Sequence, residues 1–173
     1  MLPDLIGPTP RLVFCGTAAG RASAARGHYY AGPGNRFWPI LAETGLTPRL
    51  FRPEEDGLLP GLGLGLTDLA KGVAGMDHEI PHAAFVAGRI DLIVREFRPA
   101  GLAFTSLAAG RLALGRKAGD RAIGAGPQGR QARWPGVAVF VLPSPSGAAR
   151  GSFSPEPWYQ VAEWARQAAG DKR

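Results

Sequence analysis

Two loops and one carboxylate carry the residue types in this sequence that could do chemistry. Gly16-Thr17-Ala18-Ala19-Gly20 opens a long glycine-rich stretch that also holds Ser23, Gly27, His28 and the adjacent aromatics Tyr29 and Tyr30. Glycines let a backbone approach a ligand closely, and an aromatic face can hold a planar ring. Pro143-Ser144-Pro145-Ser146-Gly147-Ala148-Ala149-Arg150 is a stiff turn with two hydroxyls, followed by a cation. Such a turn suits a phosphate backbone, because hydroxyls, exposed N–H groups and a guanidinium all pair with phosphate oxygens. Asp68, in Gly65-Leu66-Thr67-Asp68-Leu69-Ala70-Lys71, is the carboxylate; His28, His78 and His82 are the other titratable candidates, with His28 foremost because it lies in the first loop. Asp77 and Glu79 flank His78 and read as a solvated loop, since one histidine with two carboxylates is a poor metal site.

These residues need elements to hold them. Arg11-Leu12-Val13-Phe14-Cys15 reads as a buried strand that stops at Gly16, and residues 16–34 as a loop longer than a connection needs. Asn35 caps a helix carrying Phe37, Trp38, Ile40 and Leu41, with Pro39 tolerated in its first turn. Leu62 to Leu66 alternates with glycine and leads to Asp68 at a strand end or tight loop. Val86, Ile90, Ile93, Val94 and Phe97 share one helical face, which Pro99 terminates. Gly101 to Thr105 is the next strand, Ser106 caps a helix through Leu114, and residues 115–136 read as a solvated excursion. Val137 to Leu142 is the clearest strand, and Ser154-Pro155-Glu156 opens a last helix to about Ala169. Strands alternating with helices predict a single α/β domain over residues 1–173, a three-layer α/β/α sandwich with a mostly parallel sheet of about four strands. Ligands of such sheets bind at the carboxyl ends of strands, which nominates the loops after Cys15 and Leu142 and the segment around Asp68.

Composition narrows the partners. The 173 residues carry a net charge of +6, and the three lysines (Lys71, Lys117, Lys172) leave nearly all positive charge to 17 arginines. A basic balance rich in guanidinium favours a polyanionic partner. The lone Cys15 excludes a disulfide framework, a thiolate zinc site and an iron–sulfur cluster. No apolar stretch approaches the roughly 20 residues of a membrane span, and the N-terminus has no signal-peptide pattern. The expectation is a soluble cytoplasmic monomer, nucleoid-associated if bacterial, that needs no metal or cofactor.

Arg11–Gly20, then His28-Tyr29-Tyr30-Ala31-Gly32-Pro33-Gly34-Asn35-Arg36-Phe37-Trp38, then Leu142-Pro143-Ser144-Pro145-Ser146-Gly147 resemble the motifs of the uracil-DNA glycosylase superfamily, nearest its mismatch-specific uracil/thymine branch. The resemblance implies excision of uracil from DNA, or of another deaminated or alkylated base such as hypoxanthine, xanthine or an etheno adduct. It implies a base pocket formed by Gly16, Thr17, Ala18, Ser23, Tyr30 and Asn35, with Tyr30 where the family stacks an aromatic ring on the flipped base. The DNA backbone would meet Pro145, Ser146, Gly147, Ala148, Ala149 and Arg150, with Arg21 or Arg26 as further anchors. Three positions depart from the family pattern. Ala18 replaces an Asn or Asp that handles water, Ser144 replaces an Asn or His, and Ala148 replaces a leucine that some relatives wedge into the stack. The loss at position 18 leaves a catalytically dead lesion binder as a third reading. Catalysis, if present, would fall to Asp68, Ser144 or His28. Donors for the leaving base would be the backbone N–H groups of Thr17 and Ala18 and the Ser144 hydroxyl. Asp68 aligns where several branches use an Asn to read uracil's edge; it could read that edge, hold water, or instead cap a helix or pair with an arginine.

Overall fold

The computed structural model describes residues 1–86, 88–115 and 123–170, excluding the side chains of Arg150 and Ser152. Strand β1 (Leu12–Gly16) is fully buried and pairs in parallel with β2 (Leu64–Asp68) on one side and β3 (Gly101–Phe104) on the other. Beyond β3 lies β5 (Ala138–Val141), also parallel, and the two-residue β4 (Gly126–Pro127) adds an antiparallel edge, giving the order β2-β1-β3-β5-β4. The four expected parallel strands are there, and β4 is a fifth that its Gly-Pro sequence did not announce.

Side-chain alternation along these strands feeds two cores. Leu12, Phe14, Ala103 and Phe140 face helices α2 (Phe37–Glu43) and α5 (Glu156–Gly170) through Phe37, Ile40, Leu41, Trp158 and Val161. Val13, Cys15, Leu102, Phe104, Val139 and Val141 face α3 (Arg89–Phe97) and α4 (Leu107–Ala113) on the opposite side. Helices thus cover both faces, as an α/β/α sandwich requires. Ser106 caps α4 by accepting the Ala109 N–H at 2.9 Å.

Local differences from the sequence reading have identifiable causes. Helix α3 starts at Arg89 after Gly88 in the left-handed region, so Val86 lies outside it and is 63% exposed. Six residues of the long first loop form α1 (Arg21–Arg26), closed by Gly27 at φ 76°. The stretch expected to be solvated contributes Ile123 and Trp134 to the second core; Trp134 Nε1 donates to Asp91 at 2.7 Å, and Arg133 grips the same carboxylate. Part of that stretch, residues 116–122, lies outside the described residues.

A candidate active-site cleft

The chain moves from β1 to β2 on one side and later to β3 on the other, so the strand order reverses beside β1. The carboxyl ends of β1, β2 and β3 therefore open onto a crevice. A cleft of about 620 Å³ occupies it, and its wall includes Gly16, Thr17, Ala18, Tyr30, Asp68, Thr105 and Ser144. Gly16 ends β1 and is the register partner of Asp68, which ends β2. A Cβ at Gly16 would fall 2.7 Å from Asp68 Oδ1, so glycine is what lets the carboxyl occupy the floor.

Asp68 is 4% exposed. Burial raises its pKa to about 6; Lys71 and Arg89 pull it down, while Asp4 pushes it further up. The geometry explains why the cations do not win. Lys71 Nζ is 2.9 Å from Asp4 Oδ1 but 3.9 Å from Asp68 Oδ2. Arg89 also pairs with Asp4, and it reaches Asp68 only at its backbone carbonyl, 3.0 Å away. Asp4 takes the Thr67 hydroxyl at 2.7 Å as well, and these partners hold its own carboxyl below the usual range despite burial. Asp68 thus has no arginine partner for its side chain among the described residues.

Tyr30 and Tyr29 separate in role. Tyr29 is in the core, its hydroxyl donating to the Pro3 carbonyl at 2.9 Å. Tyr30 lines the cleft, with one ring face on Phe37 at a centroid distance of 3.9 Å and its hydroxyl 3.0 Å from Thr105 Oγ1. Only the opposite face can receive a planar ligand. Its φ of 52° is a strained value for a bulky residue, a feature that clusters at functional sites. Asp56 fixes the approach by accepting the Tyr29 N–H at 3.0 Å and standing 3.2 Å from His28 Nδ1. His28 is not part of the cleft wall; the structure makes it a partner of Asp56.

The other expected residues are distributed as follows. Ser23 lines the cleft, but its hydroxyl oxygen accepts the Ala31 N–H at 2.9 Å and so shapes the loop. Asn35 Oδ1 accepts the Phe37 N–H at 2.9 Å, which starts α2. Ser144, Pro145, Ser146, Gly147, Ala148 and Ala149 form the facing rim. That rim is docked on the first loop: Arg36 N–H donates to the Pro145 carbonyl at 2.8 Å, and a Cβ at Gly147 would meet the Pro33 carbonyl oxygen at 2.6 Å. Ser144 Oγ accepts the Ser146 N–H at 3.3 Å, leaving its own proton for a ligand. The side chain of Arg150 lies outside the described residues. Arg21 pairs with Glu79 at 2.8 Å and Arg26 with Glu54, so either would exchange a carboxylate to hold a phosphate. Two cleft residues escaped sequence reasoning. Thr105 follows β3 without a motif, and Asp77, expected in a solvated loop, reaches the wall through the Thr17 hydroxyl, which donates to its Oδ1.

A family model described as the uracil DNA glycosylase superfamily matches residues 3–166. The fold is also shared with the solution NMR structure of a protein from Methanosarcina acetivorans, provisionally described as a uracil DNA glycosylase. The two superpose with a TM-score of 0.64 over 95% of this chain and 96% of that one, at 17% identity. At that identity the likeness speaks to fold. No helix among the described residues is long and apolar enough to cross a membrane.

Proposed function

The chain belongs to the uracil DNA glycosylase superfamily, and we propose that it excises uracil from DNA, leaving an abasic site in an uncut strand. The supporting observation is the buried Asp68 carboxyl on the cleft floor, with a pKa of about 6. A neutral carboxyl offers one O–H donor and one carbonyl acceptor side by side, the complement of uracil's ring oxygen O4 and imide N–H. Lys71 lies nearest Oδ2, so the proton is best held on Oδ1, the oxygen beside Gly16. Oδ1–H then donates to O4 and Oδ2 accepts the imide proton. An ionised Asp68 would repel O4, and burial opposes that form.

A base inside a duplex cannot reach such a cleft, so the nucleotide flips out and the rim loops hold its backbone. The net charge of +6 favours a polyanion such as DNA as the partner. The uncovered face of Tyr30 stacks on the base. The bond from C1′ to N1 then breaks, and the negative charge that develops on uracil is met by the Ser144 hydroxyl and the backbone N–H groups of Thr17 and Ala18. Ala148 is too small to fill the vacated place in the stack, which favours single-stranded or weakly paired sites.

Oligonucleotides carrying uracil, hypoxanthine, xanthine or an etheno adduct, treated with the protein and then with alkali, test this. Cleavage at uracil, and only after alkali, is the expected result. Cleavage confined to another lesion overturns the substrate, and tight binding with no cleavage overturns catalysis.

A further inference from the structure

The first loop carries Ala18 where the family pattern has an Asn or Asp, and a carboxylate reaches the same cleft wall from elsewhere in the chain. Residues 74–79 run along the first loop and are strapped to it. Ala74 bridges to Ala19, the Gly75 N–H donates to the Ala19 carbonyl at 3.0 Å, and Glu79 pairs with Arg21 at 2.8 Å. The fourth tie is chemical as well as structural. Thr17, the neighbour of Ala18, donates its hydroxyl to Asp77 Oδ1. That bond orients the Asp77 carboxylate in the cleft wall it shares with Ala18 and Asp68. Among the described residues, Asp77 Oδ2 has no partner, and the side chain is exposed at the cleft wall.

We propose that Asp77 is the catalytic carboxylate that orients and deprotonates the attacking water, replacing the side chain absent at position 18. Asp68 lies buried on the floor and is committed to the base; Asp77 stands at the wall, exposed to solvent. The water oxygen bonds to C1′ of the deoxyribose as the bond from C1′ to N1 breaks. The bond pair leaves on uracil as an N1 anion. The water proton passes to Asp77 Oδ2 and from there to solvent or to the departing uracil, which restores the carboxylate. Thr17 is a positioning residue, because it acts only through Asp77. This inference rests on the glycosylase reading of the same cleft.

The test is single-turnover release of uracil from a single-stranded oligonucleotide by the wild type, Asp77→Asn, Asp77→Ala and Thr17→Val, with the DNA dissociation constant and melting temperature measured for each. General-base assistance is typically 10²–10⁴-fold. Both Asp77 variants should lose about that much rate while DNA affinity stays within about threefold. Thr17→Val, which keeps the carboxylate and removes its tie, should lose less than Asp77→Asn. A rate within threefold of wild type in Asp77→Asn overturns the proposal. So does an equal loss in Thr17→Val and Asp77→Asn accompanied by weaker DNA binding, because that pattern belongs to a strap and not to a base. If the wild type releases no uracil, the uracil reading itself fails; if it does and Asp77→Asn does so at the wild-type rate, only the role of Asp77 fails.

Discussion

Gly16 and Asp68 oppose each other at the carboxyl ends of β1 and β2, so close that a single methyl on Gly16 would stand 2.7 Å from Asp68 Oδ1. The same methyl would reach Thr105 Oγ1 at 3.5 Å and Tyr30 Oη at 3.7 Å, so all three polar groups of the floor crowd one Cα. Gly16→Ala must therefore push the carboxyl aside. A misplacement of about 1 Å can cost roughly 10²-fold in rate, and that is the expected loss in uracil excision. Circular dichroism should show the variant folded. An unchanged rate would mean that the position of the Asp68 carboxyl does not matter to the reaction.

Burial of Asp68 carries a stability cost with a definite sign. Its folded pKa, about 6, lies above the ordinary 3.8. Between those values the folded protein binds more protons than the unfolded chain, so stability falls as pH rises through that window. Below it both states are protonated and the cost vanishes. The shift corresponds to roughly 3 kcal/mol at pH 7. Asp68→Asn should thus raise the melting temperature at pH 7 relative to wild type and lose that advantage at pH 3.5, while uracil excision falls. A lower melting temperature at pH 7 would mark Asp68 as a structural residue.

Tyr30 offers one free ring face, because Phe37 covers the other at 3.9 Å. Base stacking contributes about 1–3 kcal/mol per base. Tyr30→Ala should weaken binding to an oligonucleotide carrying a non-hydrolysable uracil nucleotide by that amount. Tyr30→Phe keeps the face and gives up only the contact with Thr105, so its loss should stay below about 1 kcal/mol. Fluorescence anisotropy measures both. Equal affinity in wild type and Tyr30→Ala would remove Tyr30 from the site.

The sheet was legible because its signals are local. Leu12 to Cys15, Gly101 to Phe104 and Ala138 to Val141 are short β-rich runs, each stopped within a residue or two by a glycine, a serine or a proline. The motif loops were legible for the same reason, and the first and last of them do meet in one cleft. Helix α1 was not, because a six-residue helix between Gly20 and Gly27 completes too few turns to show a period. Trp134 sits among arginine, glutamine and glycine, and only its long-range bond to Asp91 reveals that it is core. Asp77 is the clearest case. It lies 60 residues from Thr17, and nothing in Met76-Asp77-His78-Glu79 announces that contact. Its charge favours solvent, and only the strap along the first loop turns it inward.

Asp4 and Lys71 supply a paired test of the floor, since neither lines the cleft and their charges act on Asp68 with opposite sign. Asp4 raises the Asp68 pKa, and Lys71 lowers it. The groups around Asp68 are Asp4 from the N-terminal segment, Lys71 after β2, Arg89 from α3, Tyr29 and Tyr30 from the first loop, and Cys15 from β1. The tyrosines and the cysteine have pKa values pushed up by burial, so they stay neutral in the range of interest. If neutral Asp68 reads uracil, kcat/KM should fall as pH rises through about 6, the value for the free protein. In Asp4→Asn the anion that holds Lys71 at 2.9 Å is gone, and the limb should move to lower pH. In Lys71→Met the nearest cation is gone, and the limb should move to higher pH. Opposite displacements by two residues outside the base pocket can come only from a charge between them. A kcat/KM that instead rises through the same midpoint would make the ionised Asp68 the active form, and the edge would then be read by the carboxylate.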